Sequence, residues 1–359
     1  MVNFDASREW VIILPSDVPQ AKRAAEDLSR YIGLLAGLNG NQSPKKPRIS
    51  DALTPAPPGA VILLGSGGSG PERNGFSWRA VPERVEISGE SGRGLCNGIY
   101  SFLAALGICW PAPGKEILPT LPADKSADFP LAICSAAEAS GYNGNNPAEA
   151  PWRRFAAARG KTVKRILKKN QVFAEWAARR RYDAIIFPLA VFASAAAGRR
   201  LKQLKQFSGE YGIALEAGGW DLSSLVPRSY FFFHRDFFRM EEGRRKKLYH
   251  FCPTSPGAIR LIGKEGKKLF RLAGETNVFH LWPDKGAETT WCSCPSCRAF
   301  TPSEQNRIAV NAAADVLAGI NPGARITYFE KAGEGGNIPL RKNLFRMERL
   351  PEEKEFKPQ

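Results

Sequence analysis

Several features that would assign the chain to a familiar class are absent from its sequence. No uninterrupted apolar run approaches the roughly 20 residues that cross a bilayer, so no membrane span is expected. Neither a serine-nucleophile elbow (G-x-S-x-G) nor a phosphate-binding P-loop is present. The first nine residues contain Asp5 and Glu9 and lack a basic segment followed by an apolar one, unlike a secretory signal. Taken literally, the sequence predicts a cytoplasmic protein that is neither a serine hydrolase nor a P-loop nucleotidase.

Histidine is also scarce, and the one glycine-rich motif does not suit a nucleotide site. His234, His250 and His280 are the only histidines, and each has aromatic neighbours, which favours a hydrogen-bonded structural role. Residues 65–70 have the glycine spacing of a dinucleotide loop, but Pro71 and polar residues follow where a helix should begin. This segment is therefore interpreted as a loop.

The positive charge is large and unevenly distributed. The formal net charge is +16, whereas residues 1–130 hold 13 basic and 13 acidic side chains. Much of the excess lies in residues 152–205, above all in the basic block 153–181. Such a block can attract a polyanion through counterion release. Solvated helix faces are the favoured explanation, so nucleic acid is not the expected partner.

The first part of the chain has the pattern of a small α+β domain. Apolar runs predict strands at residues 10–14, 60–64 and 85–87, and helical spacing covers residues 21–35 and 93–106. Ser16 is the expected cap of the first helix. A linker rich in proline and aspartate (residues 119–130) follows. We place this ancillary domain at residues 1–125, a second domain at 126–350 and a disordered polar tail at 351–359.

The second part alternates helical segments with short apolar runs. The runs are residues 184–187, 213–215, 278–281 and 326–329, with a clear helix at 303–317 and a sixth strand near 343–347. Strands that alternate with helices indicate a parallel sheet. The predicted fold class is thus α/β: a small α+β domain followed by a (β/α)8-type barrel that looks incomplete, with about six strands. An open edge is normally avoided, so a truncated product, a shortened barrel and a homo-oligomer covering the edge are the alternatives.

Three carboxylates follow predicted strands: Glu216, Asp284 and Glu330. The carboxyl ends of barrel strands converge on one face, where a pair of carboxylates can hydrolyse a glycosidic bond. Aromatic side chains nearby suit stacking on sugar rings. The candidates for that role are Trp220, Trp282, Trp291 and Tyr328. The alternative is that the acids are ordinary strand-end residues that cap helices or pair with arginine.

Cysteine is concentrated at one place. Cys292, Cys294 and Cys297 form C-x-C-x2-C, and Cys252 is a candidate fourth thiol. Four thiolates suit a structural zinc ion, although zinc sites usually use C-x2-C pairs, so buried thiols in a tight loop are an equal alternative. No cofactor is required for the chemistry considered. The remaining cysteines have apolar surroundings and are assigned to the core: Cys96, Cys109 and Cys134.

These motifs resemble two known families. Residues 93–116 resemble the small α+β domain that precedes the barrel in family 20 β-hexosaminidases and α-glucuronidases. The second part resembles the uncharacterised family called domain of unknown function 4838, through Cys-Pro-Thr-Ser-Pro at 252–256, Trp-Pro-Asp at 282–284 and the cysteine cluster. Residues 216–219, 233–240 and 303–311 and Tyr328 continue this match, and the resemblance covers most of residues 8–350.

The resemblance implies a glycosidase-like barrel and a glycan substrate, with amino sugars or uronic acids as the sugar class. It places Asp284 where related barrels keep an acid. With an N-acetyl sugar, the acetamido oxygen would be the nucleophile, Asp284 would orient it, and Glu216 or Glu330 would be the general acid. Three departures are Trp220, where the family usually has histidine, the stop after about the sixth barrel strand, and the missing export signal, since relatives are commonly exported. A non-catalytic carbohydrate-binding homologue and a basic polyanion-binding protein are the alternatives.

Overall fold

A computed structural model provides the fold. It describes residues 2–14, 16–38, 46–50, 60–66, 74–81, 83–119, 128–131, 154–156, 161–272, 274, 276–284, 290–330 and 336–347. Most of the glycine-rich segment, Cys134 and the tail 351–359 lie outside these residues. Among the helices that the structure describes, none is both long and apolar enough to cross a membrane.

The first unit is an α+β domain whose main sheet has five strands. The strands of the whole unit are β1 (Val2–Asp5), β2 (Trp10–Ile13), β3 (Arg48–Ser50), β4 (Ala60–Ser66), β5 (Phe76–Val81), β6 (Arg84–Gly89), β7 (Cys109–Ala112), β8 (Lys115–Ile117) and β9 (Asp128–Leu131), and its helices are α1 (Lys22–Gly37) and α2 (Gly92–Ala105). The main sheet has the order β3-β2-β4-β6-β5 and is parallel except for β5. The predicted strands and helices of this part are confirmed.

Three details of the first unit differ from the sequence prediction. Strand β9 pairs with β1 antiparallel, so residues beyond 125 belong to this unit. Ser16 does not cap α1, because the 3₁₀ turn Pro19–Ala21 comes between them and the helix has no side-chain cap. Cys109 is exposed, since its neighbour Trp110 takes the buried side of strand β7, whereas Cys96 is buried as expected.

The second unit is a parallel sheet flanked by helices. Its strands are β10 (Arg154–Ala156), β11 (Ala184–Phe187), β12 (Ala214–Gly219), β13 (Met240–Glu241), β14 (Arg244–Arg245), β15 (Val278–Leu281), β16 (Arg325–Phe329) and β17 (Leu344–Met347). Its helices are α3 (Lys161–Lys168), α4 (Asn170–Arg179), α5 (Leu189–Phe192), α6 (Ala195–Gly209), α7 (Pro256–Leu272) and α8 (Pro302–Ala318), with 3₁₀ turns at Leu222–Leu225, Arg228–Phe232 and Arg235–Phe237.

Six of these strands form one sheet in the order β10-β11-β12-β15-β16-β17, and every neighbouring pair is parallel. This is the strand order of a (β/α) barrel, and strand β17 is the predicted sixth strand. Strands β13 and β14 form a separate hairpin in the connection between β12 and α7. The carboxyl ends of the six strands therefore lie at one edge, called the mouth below.

The two units are joined by a buried arginine at the other end of the sheet. Arg93 of α2 donates to the backbone carbonyls of Tyr182 and Tyr211 at 2.9 and 3.2 Å. Its Nε also donates to Asp183 at 3.3 Å, and Asn97 donates to the same carboxylate at 3.0 Å. Residues 182 and 211 lie two and three residues before β11 and β12, so the first unit packs against the amino ends of these strands.

Candidate functional site at the mouth of the sheet

Asp284 lies at the mouth, three residues beyond the last residue of β15. Its carboxylate accepts a hydrogen bond from Ser223 Oγ at 2.7 Å and another from Arg228 Nη2 at 3.2 Å. The Nδ1 of His250 lies 4.0 Å from its Oδ2. Arg228 also donates to the backbone carbonyl of Lys247 and is thereby fixed. The side chain of Asp284 is 15% exposed, so this anchored carboxylate is partly accessible to solvent.

Glu216 lies inside the sheet. Strand β12 continues to Gly219, so Glu216 sits within the strand instead of at its end. Its Oε2 is 2.8 Å from His280 Nε2, and His280 Nδ1 is 2.6 Å from Thr327 Oγ1. All three side chains are buried. Glu216 therefore belongs to a buried polar network across β12, β15 and β16, to which Trp282 also donates through Thr327.

Glu330 faces the helices. Arg307 of α8 donates to both of its carboxylate oxygens, at 2.9 Å each, and Tyr328 contacts it at 3.4 Å. Glu330 is 3% exposed. Burial is the main factor that raises the pKa of Tyr328 to about 12, so its phenol remains neutral near pH 7. Both residues lie between the sheet and α8, on the opposite face from Trp282 and the inner cluster of Ile186 and Met347. The structure does not bring the three predicted carboxylates together.

Of the four aromatic candidates, only Trp220 and Trp282 pack against each other. Trp282 is fully buried inside the sheet, and its Nε1 donates to Thr327 at 3.3 Å. Trp220 is half-buried and packs edge-on against Trp282, with 5.7 Å between ring centroids. Trp291 is 7% exposed and stacks on His250. Trp220 is thus the candidate best placed to meet a sugar at the mouth.

Sequence reasoning did not identify the partners of Asp284. Ser223 and Arg228 lie in 3₁₀ turns after β12, and His250 precedes α7. Their spacing from Asp284 in sequence follows no motif, and only the fold brings them together. Asp221 was missed for the same reason. It is buried and accepts a 2.7 Å hydrogen bond from the backbone N–H of Leu189, which fixes the start of α5.

The cysteine cluster lies beside this site. Cys252, Cys292, Cys294 and Cys297 are all buried, and their Sγ atoms lie within 4.8 Å of one another. Hydrogen bonds from Cys292 and Cys297 lower the pKa of Cys252, while the same contact with Cys252 raises the pKa of Cys292 to about 11. These four residues are those that could hold a soft metal ion.

The basic block is divided by the fold. Arg179 is 15% exposed and makes two hydrogen bonds to Asp27, at 3.0 and 3.1 Å, which tie α4 to the first unit. Lys164, Arg165 and Lys168 on α3 are exposed. Part of the block is therefore structural and only part is available to a polyanion.

Comparison with known proteins gives the fold. No family model matches the sequence, and no curated protein matches it. Among solved structures, a chitobiase from Flavobacterium johnsoniae aligns with 92% of this chain and 50% of its own, at 13% identity and a TM-score of 0.50. The fold is that of the family 20 glycoside hydrolases.

Two further family 20 structures are similar over nearly the whole chain. They are an exo-β-N-acetylglucosaminidase from Vibrio harveyi and a β-N-acetylhexosaminidase from Bacteroides fragilis, each with a TM-score of 0.48, 12% identity and 96% coverage of this chain. The chain covers 54% and 66% of these proteins, respectively. It therefore spans about half to two thirds of the length of the family 20 structures that it matches.

Proposed function

We propose that the chain binds an amino-sugar-containing glycan at the mouth and hydrolyses its glycosidic bond, with Asp284 as the carboxylate that contacts the sugar. The observation that carries the proposal is the position of Asp284. It lies at the carboxyl end of a barrel strand, partly exposed and held by Ser223 and Arg228. Catalytic residues of such barrels lie at these strand ends. The family 20 fold supports the same choice of reaction.

The environment of Asp284 favours one role over another. A carboxylate that already pairs with a guanidinium is suited to accept a hydrogen bond and poorly suited to donate a proton. Asp284 would therefore accept the N–H of an N-acetyl group and orient it. The acetamido oxygen would then attack the anomeric carbon while the bond to the leaving oxygen breaks, as in substrate-assisted glycosidases. The leaving oxygen would take a proton from solvent water. A water molecule would then attack the anomeric carbon, open the ring, restore the acetamido group and return one proton to solvent.

A non-catalytic glycan-binding role is the second candidate. The leaving oxygen needs a proton donor, whereas Glu216 is buried against His280 and Glu330 is paired with Arg307. We therefore do not propose either residue as the general acid. The half-buried Trp220, in place of the histidine expected from the resemblance, also suits stacking on a sugar face.

Hydrolysis of aryl glycosides tests the two candidates. The purified chain, Asp284→Asn and the control Asp315→Asn would be assayed with N-acetylglucosaminide, N-acetylgalactosaminide and glucuronide substrates. Asp315 is an exposed carboxylate on α8 that pairs with Arg341. We expect turnover of the N-acetyl substrates to fall about 100-fold or more in Asp284→Asn, the scale of a lost transition-state contact, and to be unchanged in the control.

Each other outcome has a defined meaning. Unchanged turnover in Asp284→Asn would remove Asp284 from the site. No turnover, together with saturable binding of N-acetylglucosamine oligosaccharides that Asp284→Asn abolishes, would establish the non-catalytic role. Neither turnover nor binding by folded protein would reject both candidates.

A further inference from the structure

We propose that Cys252, Cys292, Cys294 and Cys297 bind one zinc ion that fastens the wall of the mouth. The distance from Cys252 Sγ is 3.7 Å to Cys294 Sγ and 3.6 Å to Cys297 Sγ. Sulfur atoms at the corners of a tetrahedron around zinc, with Zn–S near 2.3 Å, are about 3.8 Å apart. A disulfide would require about 2.05 Å. The thiols are thus spaced as metal ligands are.

Packing does not account for the cluster. The four cysteines contact one another and the half-buried Met240, and they form a group separate from the large cores of both units. Four buried thiols that meet outside a hydrophobic core gain little from burial of apolar area. Their convergence from two distant segments therefore indicates a ligand.

Donors around the sulfurs are placed to support thiolates. The backbone N–H of Met240 donates to Cys292 Sγ at 3.2 Å, and Thr254 Oγ1 is 3.0 Å from Cys297 Sγ. Arg245 Nη1 is 3.9 Å from Cys292 Sγ. Four thiolates and one divalent zinc leave two negative charges, which these donors and the arginine offset. Such outer contacts orient metal ligands.

The local backbone also holds the ligands in position. The N–H groups of Cys297 and Arg298 both donate to the carbonyl of Cys294, at 2.9 and 3.0 Å, and so form a tight turn. Gln305 of α8 donates to the carbonyls of Cys292 and Cys297 at 3.1 and 3.3 Å. These hydrogen bonds fix the backbone that carries the cysteines, which reduces the entropic cost of assembling the site.

The site joins the segment that carries His250, a neighbour of Asp284, to the segment that carries Trp291. Cys252 lies two residues after His250, and Cys292 follows Trp291. The two rings stack on each other, and His250 Nδ1 lies 4.0 Å from the carboxylate of Asp284. Zinc would cross-link the two segments behind this stack. This functional consequence rests on the proposed function of the mouth, whereas the metal site itself does not.

Metal content of the purified full-length chain is the first test. We expect about one zinc per chain by elemental analysis, and release of that zinc when a mercurial reagent blocks the thiols. Replacement by Co²⁺ should give the thiolate charge-transfer and visible bands of a tetrahedral site. Absence of zinc, with all four thiols alkylated rapidly in folded protein, would overturn the proposal. Iron in place of zinc would overturn the choice of metal.

Variants separate the metal site from simple folding defects. Cys297→Ser should lose the zinc, whereas Cys294→His should retain it because a three-cysteine, one-histidine set also binds zinc. Cys109→Ser alters an exposed cysteine outside the cluster and should retain full zinc content. Equal zinc in Cys297→Ser and wild type would contradict the assignment. If Cys297→Ser is insoluble, release of zinc from the wild-type chain by the mercurial reagent still tests the metal site.

The same variants distinguish failure of the metal proposal from failure of the proposed function. Asp284→Asn should lose glycan binding or turnover and keep its zinc. Zinc present without any glycan activity would leave the metal site standing and reject the function. Glycan activity in a chain without zinc would reject the metal site and leave the proposed function standing.

Discussion

The rings of His250 and Trp291 stack with 4.2 Å between their centroids and 17° between their planes. His250 is fully buried and Trp291 nearly so, and His250 Nδ1 lies 4.0 Å from Oδ2 of Asp284. Stacked rings contribute about 0.5–1.5 kcal/mol beyond the area that they bury. Trp291 therefore helps to hold His250 beside the candidate functional carboxylate, although Trp291 does not itself need to touch a ligand.

Truncation of Trp291 should weaken both the fold and the mouth. Trp291→Ala is expected to lower the free energy of unfolding by roughly 3–5 kcal/mol, as for other large core truncations. Glycan affinity should fall with it, because His250 loses its support beside Asp284. Trp291→Phe keeps a ring and should recover most of both properties. Denaturant unfolding and glycan titration measure the two effects, and equal behaviour of the two variants would contradict a role for the stack.

Glu216 should matter for stability and not for chemistry. Glu216→Ala leaves the buried His280 without its 2.8 Å partner, which should cost roughly 1–3 kcal/mol of unfolding free energy. Any glycosidase turnover per folded molecule should be unchanged. Glu26→Ala, at a carboxylate that is 44% exposed, is the control and should change stability by less than about 0.5 kcal/mol. Loss of turnover in a stable Glu216 variant would return this residue to the site.

Gly218 should tolerate no side chain. Its φ is +116°, a conformation that other residues rarely adopt, and a Cβ there would collide with the backbone carbonyl oxygen of His280. We expect Gly218→Ala to fail to fold or to unfold far below the wild-type temperature. A Cβ at Gly198 on α6 would meet nothing within 4 Å, so Gly198→Ala should raise the free energy of unfolding by up to about 1 kcal/mol. Thermal unfolding of the two variants provides the comparison, and similar temperatures would refute this account of Gly218.

Glu116 should give the first unit an acid-dependent contribution to stability. Hydrogen bonds from Arg30, and then from Tyr31, lower the pKa of Glu116 from 4.5 to about 2. A lowered folded-state pKa stabilises the fold above the unfolded-state pKa, and this contribution disappears as the pH falls through the folded-state pKa. The difference in free energy of unfolding between wild type and Glu116→Gln should therefore be largest above pH 4.5 and decrease toward pH 2. Urea unfolding across this range measures it, with the exposed Glu83→Gln as control.

The sequence is most informative about the helices and strands and least informative about the candidate functional site at the mouth. Apolar runs such as residues 184–187 are buried on every side, so their composition alone marks them as strands. Strand β12 was predicted too short because the run ends at Leu215, while the sheet continues through two glycines whose backbone conformation is not encoded in hydrophobicity. That error placed Glu216 at the mouth instead of inside the sheet.

The direction of each side chain required the structure. Glu330 follows a strand as closely as Asp284 does, yet it turns toward Arg307 on α8. Strand alternation predicts two faces but does not tell which face meets the helices when both are apolar. The cysteine cluster was predicted from spacing, and its fourth member, Cys252, is confirmed as a neighbour of the other three. That they bind zinc stays a prediction.

The pairing of β1 with β9 has a consequence for synthesis on the ribosome. Asp5 is opposite Asp128 in the register, so more than a hundred residues must be translated before β1 can find its partner. At 5–20 residues per second, this interval is on the order of ten seconds. During that time, β1 lacks the strand with which it pairs in the folded chain, so this part of the first unit closes only after Asp128–Leu131 has been synthesised.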